Sequence, residues 1–241
     1  MGKFVAFLYG ACAYVLFLGA FLYAIGFLGN LAVPKSIDSG SAAGLGTALV
    51  IDVILLGLFA FQHSGMARPA FKRWWTQIVP ESVERSTYVL LTSLLLFLLF
   101  WQWQPLTGIV WKVENPGGRM VLWAIFWLGW FMVLISTFMI NHFDLFGLRQ
   151  VYLHLRGMPY RPVGFRAPAF YKYLRHPIML GFLIAFWATP DMTFGHLLFA
   201  IATSGYILIA LQLEERDLVR LHGDDYQRYQ QRVGMLFPFK K

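Results

Sequence analysis

The sequence predicts an all-α, polytopic membrane protein whose 241 residues form a single integral membrane domain. Hydrophobic residues make up 58% of the chain and charged residues only 13%, whereas an ordinary soluble domain carries about 25% charged residues. The apolar residues fall into six runs, and basic residues are concentrated in alternate intervals between them. We therefore expect a bundle of about six transmembrane helices, the last two forming a hairpin, followed by a short amphipathic helix at the C-terminus.

Each apolar run is the core of one expected helix, because a membrane-spanning helix needs about 20 mostly apolar residues. In chain order the runs are 4–28, 45–62, 87–102, 120–140, 178–189 and 194–213. Lys3 before the first run could suggest a signal peptide, but that run far exceeds the ~7 to 15 residues of a signal-peptide core. The turn signals D-S-G-S (38–41) and N-P-G-G (115–118) mark loops between runs.

The fifth run, 178–189, is too short to span a membrane by itself. About twelve apolar residues rise only ~18 Å, against a hydrocarbon core of ~30 Å. Pro177 suits the first position of a helix and His176 the cap before it. We expect the helix to begin there, with Arg175 and His176 lining a polar pocket that dips into the membrane. The alternative is that residues 171–174 extend the helix and Arg175 reaches the surface.

The sixth run continues into a polar tail. Gly223 is expected to end its helix, and Asp224 to begin a short amphipathic helix. The residues on the apolar side of that helix are Tyr226, Tyr229 and Val233. Alternatively, the tail lies on the membrane surface, with its basic residues near anionic lipid. These basic residues are Arg228, Arg232, Lys240 and Lys241.

The distribution of basic residues indicates the orientation of the chain. With six spans both termini lie on one side, and that side holds 17 Lys and Arg residues against three on the other, namely Lys35, Lys112 and Arg119. Cytoplasmic loops carry the excess of Lys and Arg. We therefore place both termini and both long basic loops in the cytoplasm, at what we expect to be a bacterial inner membrane.

Composition and spacing exclude several classes of site and partner. The net charge of +8 could suggest a nucleic-acid-binding protein. The charges lie between apolar runs, however, so we expect membrane lipid and no nucleic acid as a partner. The single cysteine, Cys12, excludes a disulfide scaffold. His63 and His142 lack the spacing of a metal site, so no metal is expected. No glycine-rich dinucleotide fingerprint follows a strand, so a Rossmann fold is not expected.

Glu214 and Glu215, at the end of the sixth run, stand out on physical grounds. Salt-bridge partners on a helix lie three or four residues away, and no Lys or Arg occupies those positions for either acid. Two adjacent carboxylates at a membrane edge need a cation from another segment or from a ligand. The two possibilities are a tertiary pair with Arg175 or another loop arginine, and a positively charged cofactor.

The segment N-H-F-D (141–144) follows the fourth run, on the side that carries the long basic loops. Its His142 or Asp144 could act as general base for a group that loses a proton during a reaction. The alternative is that these residues cap a helix and bond to Arg149 or Gln150.

The C-terminal third resembles the isoprenylcysteine carboxyl methyltransferase superfamily of integral membrane methyltransferases. Their tail reads R-H-P-x-Y-x-G, then E-E-x-x-L, then G-x-x-Y-x-x-Y-x-x-x-V and a terminal Pro, and this chain departs from it at Met179, which replaces the Tyr. The matching residues are Arg175, His176, Pro177, Gly181, Glu214, Glu215, Leu218, Gly223, Tyr226, Tyr229, Val233 and Pro238. In addition, N-H-F-D-L-F-G-L-R-Q-V (141–151) is similar to a segment of the bacterial methanethiol S-methyltransferases of this superfamily.

The resemblance implies S-adenosylmethionine as cofactor, with residues 141–241 as the cofactor-binding and catalytic half at the cytoplasmic side. The amino group and sulfonium of this cofactor are positive, and its carboxylate is negative. Glu214 or Glu215 would bind the amino group. Arg175, His176 and the amides that begin the fifth helix would bind the carboxylate, because a helix N-terminus favours anions. Gly181 belongs to the same cofactor-binding set.

The implied reaction is methylation of a small thiol, methanethiol, to give dimethyl sulfide, with His142 or Asp144 as the base. Three alternatives stay open. The first is a methyltransferase acting on a prenylcysteine or a lipid acceptor. The second is an NADPH-dependent enzyme similar to sterol reductases, which the acidic pair disfavours because it would repel a phosphate. The third is a non-enzymatic, nurim-like membrane protein.

Overall fold

A computed structural model describes residues 2–41, 43–162 and 164–238, so Lys240 and Lys241 lie outside the described residues. The chain is helical apart from one pair of short strands. In order, its elements are α1 (Lys3–Gly29), α2 (Leu45–Ala67), α3 (Pro69–Trp75), α4 (Glu81–Gln102), β1 (Ile109–Lys112), α5 (Pro116–Ile140), α6 (His142–Leu145), α7 (Leu148–Leu155), a 3-10 helix (Ala169–Lys172), α8 (Pro177–Trp187), β2 (Asp191–Thr193), α9 (Phe194–His222) and α10 (Asp224–Arg232).

The five helices α1, α2, α4, α5 and α9 are long and apolar enough to cross a membrane, and α8 is a shorter apolar helix. Large apolar side chains along these helices are exposed, as at Leu22 (65%) and Phe61 (80%), which suits contact with lipid. The prediction of an all-α, polytopic bundle is confirmed, and the protein is an integral membrane protein.

Several helices extend beyond the apolar runs that predicted them. α2 continues to Ala67, α4 begins at Glu81, and α9 runs to His222, because a helix does not stop where its sequence becomes polar. The prediction of a loop at 115–118 is wrong. Pro116 is the first residue of α5, and the Asn115 side chain caps the helix by accepting a hydrogen bond from the Gly118 amide at 3.0 Å.

The short fifth helix is confirmed. α8 has 11 residues, a rise of about 17 Å at 1.5 Å per residue. The alternative in which residues 171–174 extend it is wrong. Leu174 instead pairs with Gly234 of the C-terminal tail in a parallel bridge, and the amides of Arg175 and His176 donate to the carbonyls of Gly234 and Met235.

Contacts divide the chain into two compact units, Met1–Thr107 with His142–Pro162, and Gly108–Asn141 with Val163–Lys241. In the first unit, α1 packs against α4 and α7, and α2 packs against α4. The buried Ala6, Val83 and Val151 pack together and join α1, α4 and α7. Asp52 on α2 is fully buried and accepts a hydrogen bond from the Gln104 amide at 2.8 Å.

In the second unit, α5 packs along α8, and β1 pairs with β2 in an antiparallel ladder. Thr193 caps α9 by accepting from the His196 amide. Gly223 has a φ of +56° and ends α9, and α10 begins at Asp224. The predicted end of the last span and start of the amphipathic helix are therefore confirmed.

Candidate functional site

A buried ion pair joins the end of the last span to Arg175, which lies two residues before the start of α8. Glu215 points inward from α9, and its carboxylate accepts two hydrogen bonds from the Arg175 guanidinium, at 2.5 Å from Nε and 3.0 Å from Nη2. The two side chains are only 9% and 10% exposed. A two-point contact of this kind fixes both the distance and the orientation of the partners.

Three more side chains complete the hydrogen bonding of Glu215. His176 Nε2 lies 3.0 Å from Oε1, the Gln230 amide donates to Oε2 at 3.0 Å, and the Tyr226 hydroxyl donates to Oε1 at 3.4 Å. Tyr226 and Gln230 are four residues apart on α10 and so lie on one face of it. We call Glu215, Arg175, His176, Tyr226 and Gln230 the Glu215 cluster.

Arg175 also holds the C-terminal tail directly. Its Nη1 donates to the carbonyls of Gln230 and Val233, at 3.1 and 2.5 Å. Together with the bonds to Glu215, these contacts use four of the five N–H groups that a guanidinium carries. The tertiary pair with Arg175 that the sequence left open is thus present for Glu215.

Glu214 has different surroundings, because adjacent residues on a helix point about 100° apart. Its side chain is 45% exposed, and His176 Nδ1 lies 3.9 Å from Oε2. An open cleft of about 330 Å³ lies beside the cluster, within the ~300 to 1,000 Å³ of small-molecule sites. Its walls are formed by Gln212, Glu215, Arg216, Val219, Arg220 and Gln230.

Tyrosines surround the cluster and stay neutral. The Tyr229 hydroxyl donates to the Tyr171 carbonyl at 2.5 Å, and burial raises the pKa of Tyr229 to about 12. Burial and the nearby Glu215 charge raise the pKa of Tyr226, and burial raises that of Tyr171. Phe165 packs edge-on against Tyr226 and Tyr229. All three phenols therefore serve as hydrogen-bond donors at neutral pH.

Gly181 lies at the closest approach of α8 to α5. A Cβ atom there would come within 2.8 Å of the Gly129 carbonyl oxygen and 2.9 Å of the Val133 amide nitrogen. Gly129 faces the same contact, where a Cβ would lie 2.7 Å from the Ala185 amide nitrogen. This crossing of two backbones requires glycine at both positions.

His142 and Asp144 belong to the first unit. His142 Nε2 lies 2.8 Å from the Tyr14 hydroxyl, and the ring is 3% exposed. Asp144 pairs with Arg149 at 2.8 Å and accepts from the Tyr160 hydroxyl at 3.3 Å. The bond to Arg149 is the alternative that the sequence left open for Asp144.

The structure thus brings together Arg175, His176 and Glu215 and leaves Glu214 beside them. Sequence reasoning missed Gln230 and Tyr14 as partners, although the spacing of Tyr226 and Gln230 could have shown their common face. Among the described residues, no three His, Cys, Asp or Glu side chains are grouped as a metal site would require.

The fold and this cluster define a helical integral membrane protein whose C-terminal tail is held to its last span by a buried ion pair. The chain belongs to the NnrU protein family, whose model matches residues 53–224.

Curated relatives extend the match over the whole chain. A methanethiol S-methyltransferase of Mycobacterium tuberculosis is 59% identical over 99% of this chain and 98% of its own length. One from Crocosphaera subtropica is 55% identical, with 96% and 91% covered. Mouse nurim is 31% identical over 71% of this chain and 68% of its own length. No solved structure matches. The resemblance to the bacterial methanethiol S-methyltransferases is confirmed.

Proposed function

We propose that this protein transfers a methyl group from S-adenosylmethionine to methanethiol and releases dimethyl sulfide. The observation that carries the proposal is the 59% identity, over nearly the full length of both chains, to a protein named methanethiol S-methyltransferase. The relationship to nurim is far more distant, at 31% identity. The prenylcysteine, sterol-reductase and non-enzymatic alternatives are therefore not favoured.

The different surroundings of Glu214 and Glu215 support the choice of donor. S-adenosylmethionine brings an amino group and a sulfonium, so its site needs an acid that is not already matched by a cation. Glu215 is engaged by Arg175, whereas the Glu214 carboxylate is 45% exposed. We assign the amino group to Glu214. Arg175 and Glu215 then hold the C-terminal tail at the site. His176 lies against both acids, and Gly181 lets α8 pack closely against α5.

Glu214→Gln should weaken binding of S-adenosylhomocysteine, which keeps the amino group, by about 10 to 150-fold. A charge-assisted hydrogen bond in a partly dry site contributes about 1.5–3 kcal/mol. Isothermal titration calorimetry in detergent measures the affinity for S-adenosylhomocysteine. A separate titration with NADPH tests the alternative nucleotide.

The matched control is Asp225→Asn, an acid on α10 that is 70% exposed and pairs with Arg228. It should bind S-adenosylhomocysteine as the parent does. If Glu214→Gln binds S-adenosylhomocysteine as tightly as the parent, Glu214 does not belong to the cofactor site. Binding of NADPH without S-adenosylhomocysteine would contradict the proposed function itself.

The protein's part in the reaction is alignment, exclusion of water and removal of a proton. When bound, the donor would supply a methyl group on a positively charged sulfur. The sulfur of the thiol would bond to that methyl carbon, in line with the breaking bond to the donor sulfur, which would depart as a neutral thioether. Holding the two reactants in that line supplies much of the rate, since effective molarities of well-aligned groups reach about 10⁵–10⁸ M. Methanethiol must lose its proton, and His142 or Asp144 is the proposed base.

We also propose that both termini and the cofactor site face the cytoplasm, where the donor is made. The 17 to 3 asymmetry in Lys and Arg supports this orientation. In a Cys12→Ser background, a cysteine at Glu114 should react with a membrane-impermeant maleimide added to intact spheroplasts, and one at Met158 should not. The reverse labelling pattern would contradict the orientation.

A further inference from the structure

The cleft beside the Glu215 cluster carries basic and amide side chains from two helices of the second unit. Arg216, Arg220 and Gln212 line it from α9, and Gln230 lines it from α10. Positions 212, 216 and 220 follow one another at intervals of four residues. At 100° per residue their side chains lie within about 80° of each other, on one side of α9. The cleft therefore presents two guanidinium groups to a molecule that enters it.

The cleft has an excess of positive charge. Arg216 is exposed, and in the part of the chain that the structure describes it has no ion-pair partner. Arg220 is paired loosely, with Nη1 3.6 Å from Asp217 Oδ1 and 80% of its side chain exposed, and so open a pair contributes little. Glu215, the acid in the cleft wall, is already matched by Arg175. The chemistry of the cleft therefore suits an anion.

The two arginines lie at the level of the lipid headgroups. The apolar run of the last span ends at Leu213, and at 1.5 Å per residue Arg216 and Arg220 follow it by about 4 and 10 Å along the helix axis. The headgroup layer on each side of a bilayer is about 5–7 Å thick. Arginine side chains reach several Å from the helix, so both guanidinium groups can contact this layer.

An exposed apolar stripe runs along α9 from the membrane to the cleft. Ile201, Leu208 and Ile209 are 55%, 50% and 65% exposed. At 100° per residue they lie within about 60° of Gln212 around the helix axis, on the side of α9 that carries the cleft. An apolar stripe that ends at two guanidinium groups matches the two parts of a phospholipid, its acyl chains and its phosphate.

We propose that the cleft between α9 and α10 is a binding site for an anionic phospholipid, with the phosphate at Arg216 and Arg220 and the acyl chains along the stripe. A guanidinium group matches phosphate oxygens through two parallel N–H bonds. Gln230 in the cleft wall also donates to Glu215, so the lipid contacts α10 where the C-terminal tail is held. A bound lipid therefore ties the tail to the membrane surface.

The lipid site is separate from the proposed donor site. Glu214 and Arg216 are two residues apart and so about 160° apart around α9, on nearly opposite sides of the helix. The phospholipid site therefore does not depend on the proposed methyl transfer, and each site has its own variant.

Arg216→Gln tests the proposal. Purified protein in detergent is titrated with phosphatidylglycerol, and native mass spectrometry measures the affinity for the first bound lipid, with zwitterionic phosphatidylcholine as the comparison. The parent should prefer phosphatidylglycerol. Arg216→Gln should bind it at least about tenfold more weakly, the loss expected when a charge-assisted hydrogen bond disappears. Arg216→Lys keeps the charge and should recover part of the affinity.

Arg228→Gln is the matched control, because Arg228 lies on α10, is 61% exposed and pairs with Asp225 at 2.6 Å. It should bind phosphatidylglycerol as the parent does. Glu214→Gln should also keep the lipid, and Arg216→Gln should keep the parental affinity for S-adenosylhomocysteine.

Four results would overturn the lipid site. Equal losses in Arg216→Gln and Arg228→Gln would indicate a diffuse attraction between basic residues and anionic lipid. Equal affinity of the parent for the two lipids would remove the role of charge. Displacement of phosphatidylglycerol by inorganic phosphate would make the cleft a site for a free anion. Loss of S-adenosylhomocysteine binding in Arg216→Gln, with the lipid retained, would assign Arg216 to the donor site. A parent that binds phosphatidylglycerol as expected but not S-adenosylhomocysteine would support the lipid site and contradict the proposed function.

Discussion

Arg175→Ala should lower the free energy of unfolding by about 3–5 kcal/mol, the cost of leaving a buried charge without its partner. The Glu215 side chain is 9% exposed and would keep only His176, Tyr226 and Gln230 as partners. The tail would also lose the bonds from Arg175 to Gln230 and Val233. Unfolding in mixed micelles, titrated with sodium dodecyl sulfate, measures the change.

Two controls distinguish the cost of leaving a buried charge unpaired from the cost of losing an arginine side chain. Arg119 also makes a two-point contact with an acid of the same unit, donating from Nη1 and Nη2 to Asp191, but those side chains are 34% and 36% exposed. Arg119→Ala should cost only about 0–1 kcal/mol. The double variant Arg175→Met, Glu215→Gln should be more stable than Arg175→Ala, because no uncompensated charge remains. Equal losses in Arg119→Ala and Arg175→Ala would contradict the buried-pair account.

His142→Ala should lower kcat for methanethiol by about 10²–10⁴-fold, the contribution of a positioned general base. The affinity for S-adenosylhomocysteine should change little, since the proposed cofactor residues lie on other segments. A drop in kcat with unchanged cofactor affinity marks an interaction used in the transition state. Stopped assays of dimethyl sulfide at saturating donor, together with calorimetry, measure the two quantities.

His154→Ala provides the comparison, because His154 is a partly exposed histidine on α7 of the same unit. It should keep the parental kcat. If His142→Ala keeps it as well and Asp144→Ala does not, Asp144 is the base and His142 only packs against its aromatic neighbours.

The fold was largely predictable because membrane spans are encoded locally. The runs 4–28 and 194–213 are long and apolar. Gly223 ends α9 with a φ of +56°, a backbone conformation that favours glycine. The pairing of β1 with β2 was not predictable, since strands of four and three residues leave no periodicity to detect. The N-P-G-G segment suggested a loop but begins α5, because Asn is also a common helix cap and Pro a common first residue of a helix.

The sequence predicted which residues belong to the candidate site, but not the role of each residue. Sequence reasoning identified two acids without a local cation, and Arg175 as one possible partner. Which acid takes Arg175 depends on the rotational phase of α9 and on a contact between residues 40 positions apart. Gly181 likewise matched the superfamily pattern, and only the fold reveals that it lets α8 meet the backbone of α5.

The central claim is tested most directly by following the methyl group itself. Purified protein is given S-adenosylmethionine with a trideuterated methyl group and unlabelled methanethiol, and the headspace is analysed by mass spectrometry. We expect dimethyl sulfide carrying one trideuterated and one ordinary methyl group, formed in proportion to protein. A parallel reaction contains a prenylcysteine in place of methanethiol. No labelled dimethyl sulfide from folded protein, with transfer of the label to the prenylcysteine in the parallel reaction, would contradict the account.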